Sequence, residues 1–428
     1  MAPAHRIGRP RPAERRLVLV IGHHGAVLRR RVVLLPLVGL LLTGCLRLEA
    51  PEAEEVSGEP AETLLPVSEA ASGGAVRLEP SCPAPDPGEV LGADDYNEAF
   101  EDADLPYWQS ADVGASAVLS DGRVVWMWGD TIREKEVEPE MPRMVDNSML
   151  VTSGTCISQL VDDEHGPALP RDPNRLSVWP MSVNRIDPRP DDAADVTDVL
   201  VVFCSRVQRG DRMWDFIVRG TTVAVYTVGA DGVPRLSDAA QLTPDDANLG
   251  AIHWGAASAV DGDWFYVYGS RNTGQAYVYG HELYAARLPI GQVMNRNAMQ
   301  YWDGRSWQGD SDRVVPVIGA DTGVAQTLSV DLVDGRYVAY SKLGGDLADE
   351  AATWTSDSPT GPFVVQPVLS SPAGQDTGYI QYTPLAHPDV PTTPGQMLVS
   401  VSRNVDDYEL LLQRPQLGRP LFSEVPRP

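Results

Sequence analysis

The chain has 428 residues, a formal net charge of −25, 43% hydrophobic residues, 38 glycines and 36 prolines. That length is enough for one large domain with a full core, and the wealth of turn-formers is what many short strands need. The first 45 residues hold eight Arg and one Glu, leaving 26 basic against 58 acidic residues in the rest. Such a surface repels a phosphate backbone, which argues against a nucleic-acid partner.

The chain opens on a leader. Arg29-Arg30-Arg31 precedes an apolar run, Val32 to Leu42, and then Thr43-Gly44-Cys45. A basic stretch, a short apolar core and small residues before a cut site read as a secretory signal over residues 1–44. The apolar run falls short of the ~20 residues that span a bilayer. An earlier basic and apolar patch, Arg15-Arg16 and Leu17 to Val20, leaves the true start of translation open. Leu42-Thr43-Gly44-Cys45 resembles the bacterial lipobox. The resemblance implies a diacylated Cys45 as first mature residue and a cell-envelope location. A plain signal peptide is the alternative. Leu46 and Arg47 carry no Asp retention mark, so the outer membrane is expected in a Gram-negative host.

Residues 45–80 are rich in Glu, Ala, Pro, Ser and Gly and nearly lack aromatics, which predicts a disordered acidic tether. An oxidising compartment permits disulfides, and Cys82 with Cys156 would tie the segment leading into the fold to the first sheet. Cys204, inside an apolar strand, reads as a buried free thiol. No Cys/His spacing suits zinc, so no metal and no cofactor are expected.

From residue 81 to 428 the sequence repeats itself. GRVVWMWGDT (Gly122–Thr131) has four echoes: VLVVFCSR, WFYVYGSR, RYVAYSK and MLVSVSR. Their strand starts at Val124, Val199, Trp264, Arg336 and Met397 are 75, 65, 72 and 61 residues apart. A small-residue strand precedes each (ADVGASAVL, PMSVNRI, WGAASAV, QTLSVDLV, YTPLAHPDV). A third follows each (NSMLVTS, TTVAVYTV, ELYAARL, AATWTSD, YELLLQR). Several strands per unit at such a period predict an all-β, five-bladed β-propeller.

In a propeller the starts of the innermost strands face one mouth. Asp112 begins such a strand, and Asp130 ends the next. Arg143, Asp146 and Asn147 lead into the third. His253-Trp254, Tyr382 and His387 sit on later inner strands. Aromatic faces stack on sugar rings and imidazole bonds hydroxyls. Each of these residues equally suits a structural turn, cap or core role. The acidic insert Asp191-Asp192, Asp195 and Asp198 reads as a solvated loop, with calcium binding as the alternative. The Ser-Arg and Ser-Lys strand ends read first as hydrogen-bonding links between blades.

ADVGASAVLSDGRVVWMWGDT with DNSMLV, HWGAAS with YVYGSR, YWDGRSW, SDSPTGPF and LAHPDV resembles a group of secreted bacterial propeller domains long catalogued as of unknown function. That group includes endo-D-arabinanases and is related in shape to arabinanase and xylosidase glycosidases. The resemblance implies a surface-anchored, monomeric glycoside hydrolase acting on a polysaccharide of arabinan type. Asp112 would be the first-blade carboxylate and base, with Asp130 or another carboxyl as acid. The inner strands of blades two to four offer Met181-Ser182, His253 and Gln326 rather than carboxylates. This motivates a second reading, a non-catalytic propeller that binds a glycan or a protein partner at the cell envelope.

Overall fold

The computed structural model describes residues 76–428, apart from 87, 136–141, 171–175, 191, 213 and 367–379. The leader, Cys45 and most of the tether lie outside the described residues.

Five antiparallel sheets follow one another along the chain, each running from its inner strand outward, with one earlier strand added to the outer edge of the first. The inner strands are Ser110–Val118, Ser177–Ile186, His253–Asp261, Ser329–Val333 and Ile380–His387. Each neighbours the next, and the fifth returns to the first, which closes the ring. The second strands are Val124–Ile132, Val196–Arg209, Trp264–Arg271, Arg336–Lys342 and Gln396–Asn404. The GDT strand and its four echoes thus hold equivalent places in five blades of a β-propeller. They are near-continuous apolar runs because both faces are buried between blades.

Two expectations are corrected at the ends of the chain. The tether stops before residue 80, since Arg77–Glu79 is a strand paired with Cys156–Val161 at the outer edge of the first blade. Cys82 and Cys156 are bridged, and Cys156 begins the fourth strand of that blade. YELLLQR is not a strand. Tyr408–Gln413 is a short helix whose first turn is capped by Asp407, which accepts from the backbone N–H of Leu410. The third strand of the last blade is Leu421–Pro426 instead.

A helix before the first blade, Ala93–Glu101, packs against that last strand. Asn97 both donates to the carbonyl and accepts from the N–H of Phe422. It thereby satisfies part of an edge that would otherwise stand unpaired. Phe100 meets Trp108, Trp126, Trp128 and Phe422 at 5.1 to 5.7 Å between ring centroids, mostly edge to face. Arg419 donates to the carbonyls of Phe100, Gln109 and Ala103 at 2.9 Å, and also to that of Glu101. First and last blades are thus joined by an apolar cluster and one guanidinium.

Among the cations at the second-strand ends, Lys342 makes such a link, to Gln381 of the fifth blade, Arg206 reaches the segment leading to the third blade, and Arg271 stays within its own blade. Arg206 is bidentate to Asp245 at 2.7 and 2.9 Å, Arg271 pairs with Glu282, and Lys342 donates to the carbonyls of Asp346 and Gln381. The acidic insert is likewise tied by arginines: Asp192 bonds Arg189, and Asp198 bonds Arg185 and the backbone and hydroxyl of Ser120 in the first blade.

Candidate functional site

The inner strands open onto the mouth through bulges. The first strand slips register on both sides of Val113, the second at Met181, the third after Trp254 and the fifth after Tyr382. A bulge bends the strand and re-aims its side chains. Val113, a β-branched residue, is held at φ 67°, a conformation that costs free energy and persists only where neighbours impose it. Ser402 of the fifth blade is one such neighbour, accepting from the Val113 N–H at 2.9 Å.

The result is a cavity of about 820 Å³ at the mouth, with Asp112 and Asp130 on its wall. Asp112 accepts from the Tyr382 hydroxyl at 2.9 Å and from the backbone N–H of Asp130. Gly129 is required here, because a methyl group at its Cα would overlap the Asp112 carboxylate. Asp130 takes a hydrogen bond from Arg209. Arg209 is itself set by Asp146 at 3.2 Å and by Ser177 at 2.8 Å, and lies 5.1 Å over the Trp179 ring.

Burial, and then the charge of Asp130, push the Asp112 carboxyl up to about 7, against the opposing pull of Tyr382 and Arg209. Burial also raises Asp130, with Arg209 offsetting it. Arg209 donates to Asp130 and not to Asp112, so Asp130 is the member of the pair whose charge is compensated. Burial and the two carboxylates lift the Tyr382 phenol well above its ordinary value, so it stays a donor. The arrangement is one proton held beside one negative charge, on the floor of a concavity.

Of the residues named from sequence, the structure brings together Asp112, Asp130 and Tyr382. Asp146 supports them from behind. The others stand apart. Asn147 is fully buried and bonds the N–H and carbonyl of Leu169 and the carbonyl of Val178. Arg143 donates to the carbonyl of Leu412. Trp254 packs on Tyr301 in the core between blades two and three. His253, lowered to about 4 by burial and by His281, does not line the cavity. His387 lies at the far end of its strand, held between Ser116 and Ser400, and burial lowers it to about 3.

Sequence reasoning missed Arg209, Trp179, Trp214 and Phe216. They belong largely to one feature, a second-blade hairpin longer than its echoes, with strands Val196–Arg209 and Phe216–Gly229. Its tip carries Trp214 across to meet Tyr382 edge-on at 5.9 Å. The signal was present: apolar residues continue through Val207 and resume at Phe216, with Gly210 and Asp211 between them.

Fold and site together define a five-bladed propeller with a paired-carboxyl mouth. The chain belongs to the family described as Domain of unknown function (DUF5005), which matches residues 93–425. No curated protein matches the sequence. Among solved structures, a Bacteroides ovatus protein described provisionally as a hydrolase is similar at 16% identity and TM-score 0.57. That match covers 82% of this chain and 93% of that one. The α-L-arabinofuranosidase of Podospora anserina, solved with cellotriose, is similar at 10% identity and TM-score 0.43, covering 76% and 92%. The α-L-arabinofuranosidase catalytic domain of Coprinopsis cinerea is similar at 12% identity and TM-score 0.43, covering 83% and 98%. At such identities the first of these likenesses concerns the fold alone.

The raised Asp112 has a consequence for stability. Folded protein holds this proton where the unfolded chain, at the ordinary carboxyl value, has released it. Stability therefore falls as pH rises from the unfolded towards the folded value. Asp112→Asn removes that loss and can still accept from Tyr382. The variant is expected to gain on wild type in thermal midpoint, by several degrees, between about pH 4 and about pH 8. A difference in midpoint that stays flat or shrinks over that range would contradict a raised Asp112.

Proposed function

We propose that this protein is a glycoside hydrolase with Asp112 as proton donor and Asp130 as its anionic partner. The observation that carries this reading is two buried carboxyls on one cavity wall, Asp112 held by the Tyr382 hydroxyl and Asp130 paired with Arg209. It reverses the role of base expected for Asp112 from sequence. Asp112 gives its proton to the glycosidic oxygen, which leaves with the bonding electron pair. The Asp130 carboxylate faces the positive charge developing on the sugar carbon and takes a proton from the water that adds there. Passing that proton from Asp130 to Asp112 restores the starting state. The Tyr382 hydroxyl and the Asp130 N–H stabilise the Asp112 anion in between. Trp179, Trp214 and Phe216 offer faces for sugar C–H surfaces.

The sequence resemblance to endo-D-arabinanases makes arabinan the first polysaccharide to try. Purified protein is expected to release reducing sugar. Asp112→Asn and Asp130→Asn should each lower the rate by roughly a hundred- to ten-thousand-fold while remaining folded. Activity should fall as pH rises through about 7, as Asp112 loses its proton. Binding without release from any glycan would leave the non-catalytic reading, which the absence of carboxylates at Met181, His253 and Gln326 favours.

We further propose that the mature chain starts at a lipidated Cys45 and is held at the cell envelope by it. Metabolic labelling with an alkyne fatty acid should mark wild type and not Cys45→Ala. Equal labelling of both would refute the anchor.

A further inference from the structure

The wall above the carboxyl pair is mostly apolar. Ile132, Met144, Met181, Phe216, Trp214 and Leu347 face the cavity. Arg209, Asp346, Arg403 and Asn404 also line the cavity and can bond a sugar's hydroxyls, while the apolar part of the wall can bond none. The same character continues outward. Among the described residues, seven large apolar side chains stand exposed. Five of these, Trp214 (44%), Leu249 (66%), Tyr277 (90%), Tyr279 (69%) and Leu347 (85%), lie on loops at the mouth end of the blades. Only Val90 and Val364 lie elsewhere. Exposed apolar side chains scattered over a surface need no explanation, but a concentration around one opening marks a binding surface. The loops are also neighbours: Gly345, two residues from Leu347, packs against the Tyr279 carbonyl.

We infer that the substrate of this site is a glycan bearing an alkyl or acyl chain, with the sugar at Asp112 and Asp130 and the chain on the apolar wall and rim. This deepens the proposed hydrolysis and rests on the same cavity. Trp214 and Leu347 belong both to the cavity lining and to the exposed set, so the apolar wall reaches the rim at these two residues. A chain attached to the sugar would bury against that wall, and each methylene taken out of water favours binding.

The test is calorimetric binding to Asp112→Asn protein, so that turnover does not intrude, with every ligand kept below its micelle concentration. The probes are methyl arabinofuranoside, n-octyl arabinofuranoside, an octanoyl ester of the methyl glycoside, and n-octylphosphocholine as an amphiphile without sugar. The octyl or octanoyl sugar is expected to bind at least roughly tenfold tighter than the methyl glycoside. The double variant Trp214→Ala, Leu347→Ser, whose sites are exposed, should lose most of that preference. Tighter binding of the octyl glycoside would place the chain on the leaving group, and of the ester on the sugar; either supports the inference. Neither chain-bearing sugar binding tighter than the methyl glycoside, no binding of any sugar, octylphosphocholine binding as tightly as the better chain-bearing sugar, or a preference untouched in the double variant would each overturn it. Release of reducing sugar is read separately. A protein that cleaves bare arabinan with no chain preference sinks this inference alone, and one that prefers the chain but cleaves nothing sinks hydrolysis alone.

Discussion

Closure of the ring is the constraint on which the rest depends. Asp112 belongs to the first blade and Tyr382, which bonds it, to the fifth, 270 residues later. They meet only because the seam between those blades is shut. Three kinds of contact shut it. Phe100, brought by the helix before the first blade, fills the space between Trp108, Trp126, Trp128 and Phe422. Arg419 gathers carbonyls that would otherwise be left without donors, and a buried carbonyl without a donor is expensive. The hydroxyl of Ser402 accepts from Val113 in the bulge beside Asp112. The last of these couples closure directly to the position of the carboxyl.

The same seam explains why so polar a site survives in so apolar a place. Two carboxyls side by side repel, and burial penalises the charge on either. Arg209 compensates one of them, and a retained proton relieves the other. Arg209 can do this only because the second-blade hairpin runs on past the length of its echoes, and because Asp146 and Ser177 fix the guanidinium over Trp179. Gly129 leaves room for the Asp112 carboxylate where any side chain would collide with it. The left-handed Val113 is the strain this arrangement carries, as functional sites often do.

Much of the fold could be read from residues alone, because identical demands recur. Each second strand is buried on both faces, so each must be apolar, and five such runs at similar intervals announce five blades. The bridge between Cys82 and Cys156 was left open by the sequence and is decided by the structure, where the entry strand Arg77–Glu79 pairs with Cys156–Val161. The last blade was misjudged because Leu410, Leu411 and Leu412 satisfy a strand as well as a helix by composition. The Asp407 cap, a single hydrogen bond, decides between them. At the site, Asp112, Asp130 and Tyr382 were legible as inner-strand or strand-end residues. His253, Trp254 and His387 share that description yet do not line the cavity, Trp254 and His387 being buried between blades, and nothing in a strand's period says which residue meets water. Arg209 escaped notice because its role comes from the extra length of one hairpin, a departure from the repeat rather than an instance of it.

The central claim is that Asp112 keeps its proton up to about pH 7 while Asp130, paired with Arg209, carries the charge. The most direct measurement is a titration of the aspartate side-chain carboxyl carbons by NMR, on the full propeller and on Asp112→Asn. The account requires one aspartate carboxyl that is still protonated at about pH 6, titrates near 7, and vanishes from the spectrum of the variant. If every aspartate in the wild-type protein, Asp112 included, has released its proton by about pH 5, the proton donor proposed here does not exist.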